Sequence, residues 1–384
     1  MWLMLVSMYT GEIKDHLIPD NYILIDLSRL KNNVAEVRKL AGAEKHIIAM
    51  VKSNAYGHGL IPISTKLNQM GINSFGVFTV KEGVDLRSAG ITGQILIFGP
   101  IHPSLYAFLL HFNLTPVIGC IDEANSIMDF FQDETISIHI KIDTGMSRIG
   151  FLPDSAVQIM EVIRKNRPKI LIDGICTHFS DSSSQDRHFT DQQACEFIHT
   201  IETLQKKDFH FNFVHAANSG AILQYPEYLF NAIRPGILLY GVDMLNKYPS
   251  FEPVLSLYSH VSMIKWIPKN AYVSYNCTYQ TDKNTKIAII PIGYGDGYVY
   301  DFSNIGTVLI NDAFYPIIGT ICMNQFVVDI TDSKNICLFD RVVLIGKEND
   351  KAITLRSLSL LTNKLPYEIL CRLSESMKRI YKNS

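Results

Sequence analysis

A lysine ends the apolar run Ile47–Val51, in the string Met50-Val51-Lys52-Ser53-Asn54-Ala55-Tyr56-Gly57-His58-Gly59. An ammonium at the end of an apolar strand is partly desolvated. That favours the neutral amine and suits Schiff-base chemistry with a carbonyl group. The alternative is a lysine that snorkels to solvent beside a glycine-rich turn. A second string, His215-Ala216-Ala217-Asn218-Ser219, ends one strand-like run and opens a helix. Backbone N–H groups at such a junction, with the Ser219 hydroxyl, are a ready site for a phosphate. Arg234-Pro235-Gly236-Ile237 offers further amides, and Gly236 permits close backbone approach. The seven cysteines suggest a different conclusion. Their number is odd and no pair has Cys-x-x-Cys spacing, so neither a disulfide framework nor a metal site is expected. That usage fits a reducing, cytoplasmic compartment.

These strings lie far apart, so the elements between them must bring them together. Eight strand-like runs recur in the first two thirds: Ile47–Val51, Phe75–Thr79, Ile95–Phe98, Thr115–Ile118, Ile136–Ile142, Ile170–Thr177, Phe211–His215 and Ala232–Ile237. Helix-compatible stretches separate most of them, such as Val80–Ala89, Asp122–Phe131, Pro153–Lys165 and Gln192–Gln205. Alternating units imply a parallel sheet, and eight of them imply a closed (β/α)8 TIM-type barrel. The barrel rule puts chemistry at the C-terminal strand ends, where these strings fall. Beyond about residue 250, strand-like runs dominate, which reads as an all-β domain. The expected domains are 14–253, the barrel, and 254–384, the β domain. The run Tyr22–Ile25 need not belong to the barrel, and the basic end Lys378–Lys382 reads as a solvated tail.

Composition narrows the partners. Hydrophobic residues make up 47% and charged residues 19%, which indicates a globular chain. The charges nearly cancel (35 − 37 = −2), so no basic field attracts nucleic acid. No apolar run approaches the roughly 18 residues of a membrane span. Met1–Tyr9 is apolar but carries neither a basic residue nor a small-residue cleavage site, so it is not read as a signal peptide, and Met8 is an equally good initiator.

The Lys52 string resembles the pyridoxal-phosphate attachment motif of the alanine racemases. The resemblance runs from Ile25-Asp26-Leu27 to Arg379-Ile380-Tyr381. It implies pyridoxal 5'-phosphate carried by Lys52, which also serves as one of two general bases. Tyr56 and Tyr367 would bind the cofactor phosphate, with Ser219, Gly236 and Ile237. The string His139–Gly150 matches closely. It implies that Arg148 reaches the cofactor and substrate, and that Lys141 is a lysine carboxylated in some members. A carbamate there would turn a repulsive Lys–Arg pair into an attractive one. His178 would stack on the pyridine ring. Arg234 would face the pyridine nitrogen and leave it unprotonated, because arginine stays charged.

The string Val273-Ser274-Tyr275-Asn276-Cys277-Thr278-Tyr279 resembles the segment carrying the second base, Tyr275. A phenol near pKa 10 needs help to ionise, which the resemblance assigns to His215 backed by Arg234. Tyr294 would narrow the substrate channel, and the Met323 amide would meet the substrate carboxylate. Tyr275, Tyr294 and Met323 would act across a homodimer interface, giving two shared sites. Two bases on opposite faces of Cα are what racemisation requires. The implied activity is interconversion of L- and D-alanine, supplying D-alanine for peptidoglycan. Some residues depart from the pattern. Asn276 replaces a glycine, Thr320 an arginine and Asn324 an aspartate, and Val299-Tyr300 stands where an arginine often sits. The less cationic channel leaves open a racemase of serine or of broader amino-acid range.

Overall fold

A computed structural model describes residues 21–166 and 170–383. The readings of Met1–Tyr9, of Met8 and of a domain start at residue 14 lie outside these residues. The chain divides into two compact units, one spanning Asp26–Val254 with the chain end from Tyr381, the other Leu255–Ile380 with the strand that precedes Asp26.

In the first unit eight parallel strands close on themselves. They are β2 (His46–Met50), β3 (Ser74–Val77), β4 (Gln94–Ile97), β5 (Thr115–Ile118), β6 (Ile136–Lys141), β7 (Ile170–Cys176), β8 (Phe213–His215) and β9 (Ala232–Ile233). Closure is direct, because His46 and Ile47 of β2 pair with Ala232 and Ile233 of β9. A barrel strand faces side chains on the inside and helices on the outside, so its residues are apolar in near-continuous runs. Ile48, Leu96, Val117, Cys176 and Ala232 form one buried cluster, with Phe98 and Phe213 packed against it.

The helices start where their chemistry says they should. Asp26 caps Leu27–Ala41, its Oδ1 accepting from the Ser28 amide at 3.0 Å. Thr79 and Glu82 form a capping box at the head of Val80–Ser88, which satisfies two orphan donors. The helix expected from Asp122 begins one residue earlier, at Ile121. Asp122 and Glu123 thus occupy the first turn, where the helix dipole favours them.

The second unit is antiparallel and strand-rich. Its strands are β1 (Tyr22–Asp26), β10 (Leu255–His260), β11 (Met263–Ile267), β12 (Thr285–Ile290), β13 (Thr307–Ile310), β14 (Ala313–Ile318), β15 (Phe326–Asp329), β16 (Arg341–Glu348), β17 (Lys351–Ile353) and β18 (Lys378–Lys382). They run in the order β11-β12-β15-β14-β13-β16-β10-β1-β18, with β17 on β16. Two short helices, Leu355–Thr362 and Pro366–Arg372, accompany them.

Strand pairing places both terminal segments. Tyr22–Ile25 pairs with Tyr258–Leu255 and so belongs to this sheet rather than to the barrel domain expected to start at 14. The pairing satisfies its backbone groups, and the Tyr22 and Tyr258 rings stack at 5.1 Å. The basic end is no solvated tail, because Lys378–Lys382 forms strand β18 beside β1. Arg379 Nη1 anchors it by donating to the carbonyls of Ser374, Glu375 and Met377 at 3.1–3.3 Å.

Candidate active site

Lys52 follows β2 by two residues and opens a turn of unusual hand. Ser53, Asn54, Ala55 and Tyr56 all have φ between 52° and 54°. Four consecutive non-glycine residues in the left-handed region cost about 1–2 kcal/mol each. The surroundings offset that cost. Glu82 Oε1 accepts from the Ser53 amide at 2.6 Å, while its other oxygen accepts from Phe78 and Thr79. Asn54 Oδ1 accepts from Leu60 at 2.7 Å, and the Gly59 amide donates to the Asn54 carbonyl at 2.9 Å. The Tyr56 and Tyr240 rings lie 5.0 Å apart, and Tyr240 donates to the Met50 carbonyl at 3.0 Å. Strain of this kind persists where neighbours over-determine it, commonly at functional sites.

The turn aims the Tyr56 hydroxyl at the loop after β9. A Cβ added to Gly236 would stand 2.5 Å from that hydroxyl, so any side chain there would have to push the Tyr56 ring aside. Ser219 Oγ completes the corner, accepting from the Gly236 amide at 3.0 Å and the Leu238 amide at 3.3 Å. Ile237 is fully buried beside them.

At the neighbouring strand ends lie Lys141 (β6), Arg148 (the following loop), His178 (after β7) and Arg234 (after β9). Arg234 is buried, and its guanidinium is almost wholly engaged. Nη1 donates to His215 Nδ1 at 2.5 Å and to the His215 carbonyl at 2.8 Å. Nη2 donates to the carbonyls of Thr177 and Ala216 at 2.7 and 2.9 Å and lies 3.2 Å from His178 Nδ1. Among the described residues, no carboxylate pairs with it. Burial first, then the cations Arg234, Lys141, Arg148 and Lys52, hold His178 well below the ordinary histidine range. Lys141 is buried. Its amine is pulled down by desolvation and then by Arg234 and Arg148, with Cys176 and Asp143 opposing. Arg234 touches the His178 imidazole and Arg148 and Lys52 act on it as well, an electrostatic setting for an anionic ligand.

Asp143 shapes the loop that carries Arg148. Its carboxylate accepts from the amides of Gly145, Met146, Ser147 and Arg148 at 2.8–3.0 Å. Burial acts to raise its pKa, but the four N–H donors outweigh it and hold the carboxyl below its ordinary 3.8. A depressed carboxyl contributes stability above its unfolded pKa and loses it as pH falls through the folded value. Asp143→Ala should therefore cost about 1 kcal/mol at neutral pH, the scale of a lost cap. The gap from the parent should close as pH falls below 3.8. Thermal melts against pH test this, and a pH-independent gap would refute the carboxylate's role.

The structure answers one sequence expectation differently. His215 is fully buried and both ring nitrogens are engaged, Nδ1 with Arg234 and Nε2 with His139 Nδ1 at 2.9 Å. Neither is left for a phenol, so His215 supports the site only through Arg234. His178, partly exposed and touching Arg234, is the histidine with an open face. Sequence reasoning also missed His139, Glu82 and Asp143 as site-building residues. An imidazole within the apolar run Ile136–Ile142 is the signal that could have flagged His139.

Tyr275, Tyr294, Met323 and Tyr367 lie in the strand-rich unit. The first three are 69%, 47% and 57% exposed. The Gly295 amide donates to the Met323 carbonyl at 2.8 Å, and the Tyr294 amide to the Cys322 carbonyl at 3.1 Å. Tyr300 approaches Tyr294 edge-on at 6.2 Å. Asn276 has φ 64°, the left-handed geometry that asparagine tolerates in place of glycine. Thr320 is buried and turned inward. Its hydroxyl donates to the Tyr275 carbonyl at 2.9 Å, and its carbonyl accepts from Ser274 Oγ at 2.5 Å. Tyr367 is partly buried at the start of its helix, and desolvation pushes its phenol up to about 12.

Comparison with known proteins places this geometry among relatives. Residues 25–244 match the family model for the alanine racemase N-terminal domain, and residues 254–381 match that for the C-terminal domain. The alanine racemase of Methanococcus maripaludis is 36% identical over 364 residues, covering 93% of this chain and 97% of the relative. That of Halothermothrix orenii is 34% identical, covering 94% and 96%. Among solved structures, the Bacillus anthracis alanine racemase with bound L-Ala-P superposes with a TM-score of 0.90 at 29% identity, covering 96% of each chain. The Bartonella henselae alanine racemase with covalently bound pyridoxal phosphate gives 0.87 at 27% identity, covering 95% of this chain and 100% of the other.

Proposed function

The chain belongs to the alanine racemase family, and on that premise we propose that it interconverts L-alanine and D-alanine with pyridoxal 5'-phosphate, using one base on each face of the α-carbon. The observation that carries the reading is the buried Arg234, which meets His178 Nδ1 at 3.2 Å and has no carboxylate in contact among the described residues, with Arg148 and Lys52 acting on the same imidazole. An anionic cofactor and a carboxylate substrate both suit it. The corner where a Cβ on Gly236 would strike the Tyr56 hydroxyl fits the cofactor's phosphate. Tyr56, Ser219, Gly236 and Ile237 would hold that phosphate. Lys52 would hold the carbonyl carbon covalently.

When bound, pyridoxal phosphate supplies an electron-withdrawing ring that acidifies the α-proton of the amino acid. The Lys52 amine takes or returns that proton on one face. Tyr275 from a second copy of the chain does so on the other. Arg234 only donates, so facing the ring nitrogen it would leave that nitrogen unprotonated and the ring a weaker electron sink. That favours prompt return of the proton at Lys52 or Tyr275 over side reactions. His178, beside Arg234, is the better partner than His215 for the Tyr275 hydroxyl. The exposed group Tyr275, Tyr294 and Met323 supports a homodimer with shared sites, and light scattering of the purified chain measures it.

Formation of D-alanine, in a coupled assay with and without added pyridoxal phosphate, tests the reaction. Failure to exchange the α-proton of alanine would refute it. A tenfold preference for serine over alanine would instead establish the broader-range alternative. Supply of D-alanine for peptidoglycan follows as the proposed role. Seven free thiols support a cytoplasmic setting, and among the described residues no helix is long and apolar enough to cross a membrane.

Two further results are expected. Gly236→Ala should weaken pyridoxal phosphate binding about tenfold (about 1.4 kcal/mol), because the added methyl displaces the Tyr56 hydroxyl. Fluorescence titration of the cofactor reads this, and unchanged affinity would sink the cradle. Lys141, whose lowered pKa leaves more neutral amine, should react with CO2 to give a carbamate that draws Arg148 and Arg234 towards it. A 13C signal from labelled bicarbonate in the full chain reports it, and a plain amine in fresh protein would disprove it.

A further inference from the structure

Arg234 is a buried cation with no carboxylate in contact among the described residues, yet a file of side chains leads from it to one. His215 Nδ1 accepts from Arg234 Nη1 at 2.5 Å, and His215 Nε2 meets His139 Nδ1 at 2.9 Å. His139 Nε2 faces Asp173 Oδ2 at 3.8 Å. Asp173 is held in turn by Asn212 Nδ2 at 2.7 Å and Gln94 Nε2 at 3.3 Å. Burial keeps both imidazoles neutral, so each carries one N–H.

The proton positions then follow by elimination. A guanidinium only donates, so His215 Nδ1 must accept and the His215 proton sits on Nε2. That proton is donated to His139 Nδ1, which puts the His139 proton on Nε2, facing Asp173. The Gln94 amide, 3.4 Å from His139 Nε2, therefore donates to Asp173 instead. Every neighbour in the file agrees on one direction.

The backbone is shaped around this file. Between β6 and β7 the register runs Ile138 to Ile172 and then His139 to Gly174, so Asp173 is the extra, bulged residue. A bulge re-aims a side chain, here towards His139. The next residue has no side chain, and a Cβ on Gly174 would stand 2.5 Å from His139 Cε1 and Nδ1. A bulge and a glycine in succession make room for one imidazole and bring a carboxylate to face its Nε2.

We propose that Asp173 and His139 are positioning residues which, through one fixed tautomer of His215, hold the Arg234 guanidinium in place from inside the barrel. Their effect on turnover rests on the racemase reading, whereas the tautomers do not. The full-length chain, labelled with 15N-histidine and assigned with His139→Gln and His215→Gln, should show both rings protonated on Nε2, with and without pyridoxal phosphate. Asp173→Leu should move the His139 nitrogens towards the tautomer average. It should also lower kcat about tenfold, with KM changed less than about twofold. Asp173→Asn, which retains one acceptor oxygen, should fall between.

Gly174→Ala reaches the same file from the backbone and should displace the His139 ring, giving the same shift in its signals. A parent His215 protonated on Nδ1 would overturn the proposal. So would an Asp173→Leu protein with unmoved His139 signals and unchanged kcat. An inactive parent with the expected tautomers would refute the racemase reading alone.

Discussion

Lys52→Ala should emerge from pyridoxal phosphate without the visible absorbance of a covalently held cofactor, and its alanine interconversion should fall at least about a thousandfold. Two losses combine in one residue, the covalent anchor and the base on one face. The fold should be indifferent, because Lys52 is only partly buried and the left-handed turn after it is held by Glu82 and Asn54. A cofactor-free melting temperature within about 2 °C of the parent is therefore expected. Absorbance spectra, D-alanine formation and melting check the three statements. A variant that keeps both cofactor band and turnover would remove Lys52 from the mechanism.

Tyr275→Phe should lower interconversion about a hundredfold or more, the ordinary contribution of a positioned base. The two enantiomers have equal free energy, so kcat/KM must fall equally in both directions. The asymmetry appears only in exchange of the substrate's own α-proton with solvent. With Tyr275 assigned to the L-enantiomer and Lys52 to the D-enantiomer, exchange from L-alanine should drop with turnover, while exchange from D-alanine should persist. Deuterium incorporation followed by NMR from each pure enantiomer separates these cases. Wild-type exchange from L-alanine in Tyr275→Phe would mean that the tyrosine is not the second base.

The histidines show where residue type and order stop being informative. His178 follows β7 and His215 ends β8, and their neighbours in the chain do not rank them. Their surroundings do. His215 spends both nitrogens inside the barrel, while His178 keeps a face open beside Arg234. Thr320 is a similar case. Read as a missing arginine at the substrate channel, it also has a positive task, a hydroxyl bond to the Tyr275 carbonyl. At the chain end the charge pattern of Lys378–Lys382 suggested solvent. Pairing next to β1 outweighed it, because an unpaired edge strand gains backbone hydrogen bonds whatever its charge.

By itself the sequence determined the barrel, the strand-rich second part, and the placement of Lys52, Lys141, His178 and Arg234 at strand ends. Those features are local. Apolar runs of strand length, helix starts and glycine-rich turns act over a few residues, and chain order then assigns each string to a strand end. Tertiary structure alone decided which of those groups face one another. The closeness of Gly236 to the Tyr56 hydroxyl, the four amides around Asp143, and the file from Arg234 to Asp173 all join residues through space. The file also depends on a one-residue register slip at Asp173. Such a slip leaves no periodic trace in the sequence. It is set by how β6 and β7 pack against each other around the His139 ring.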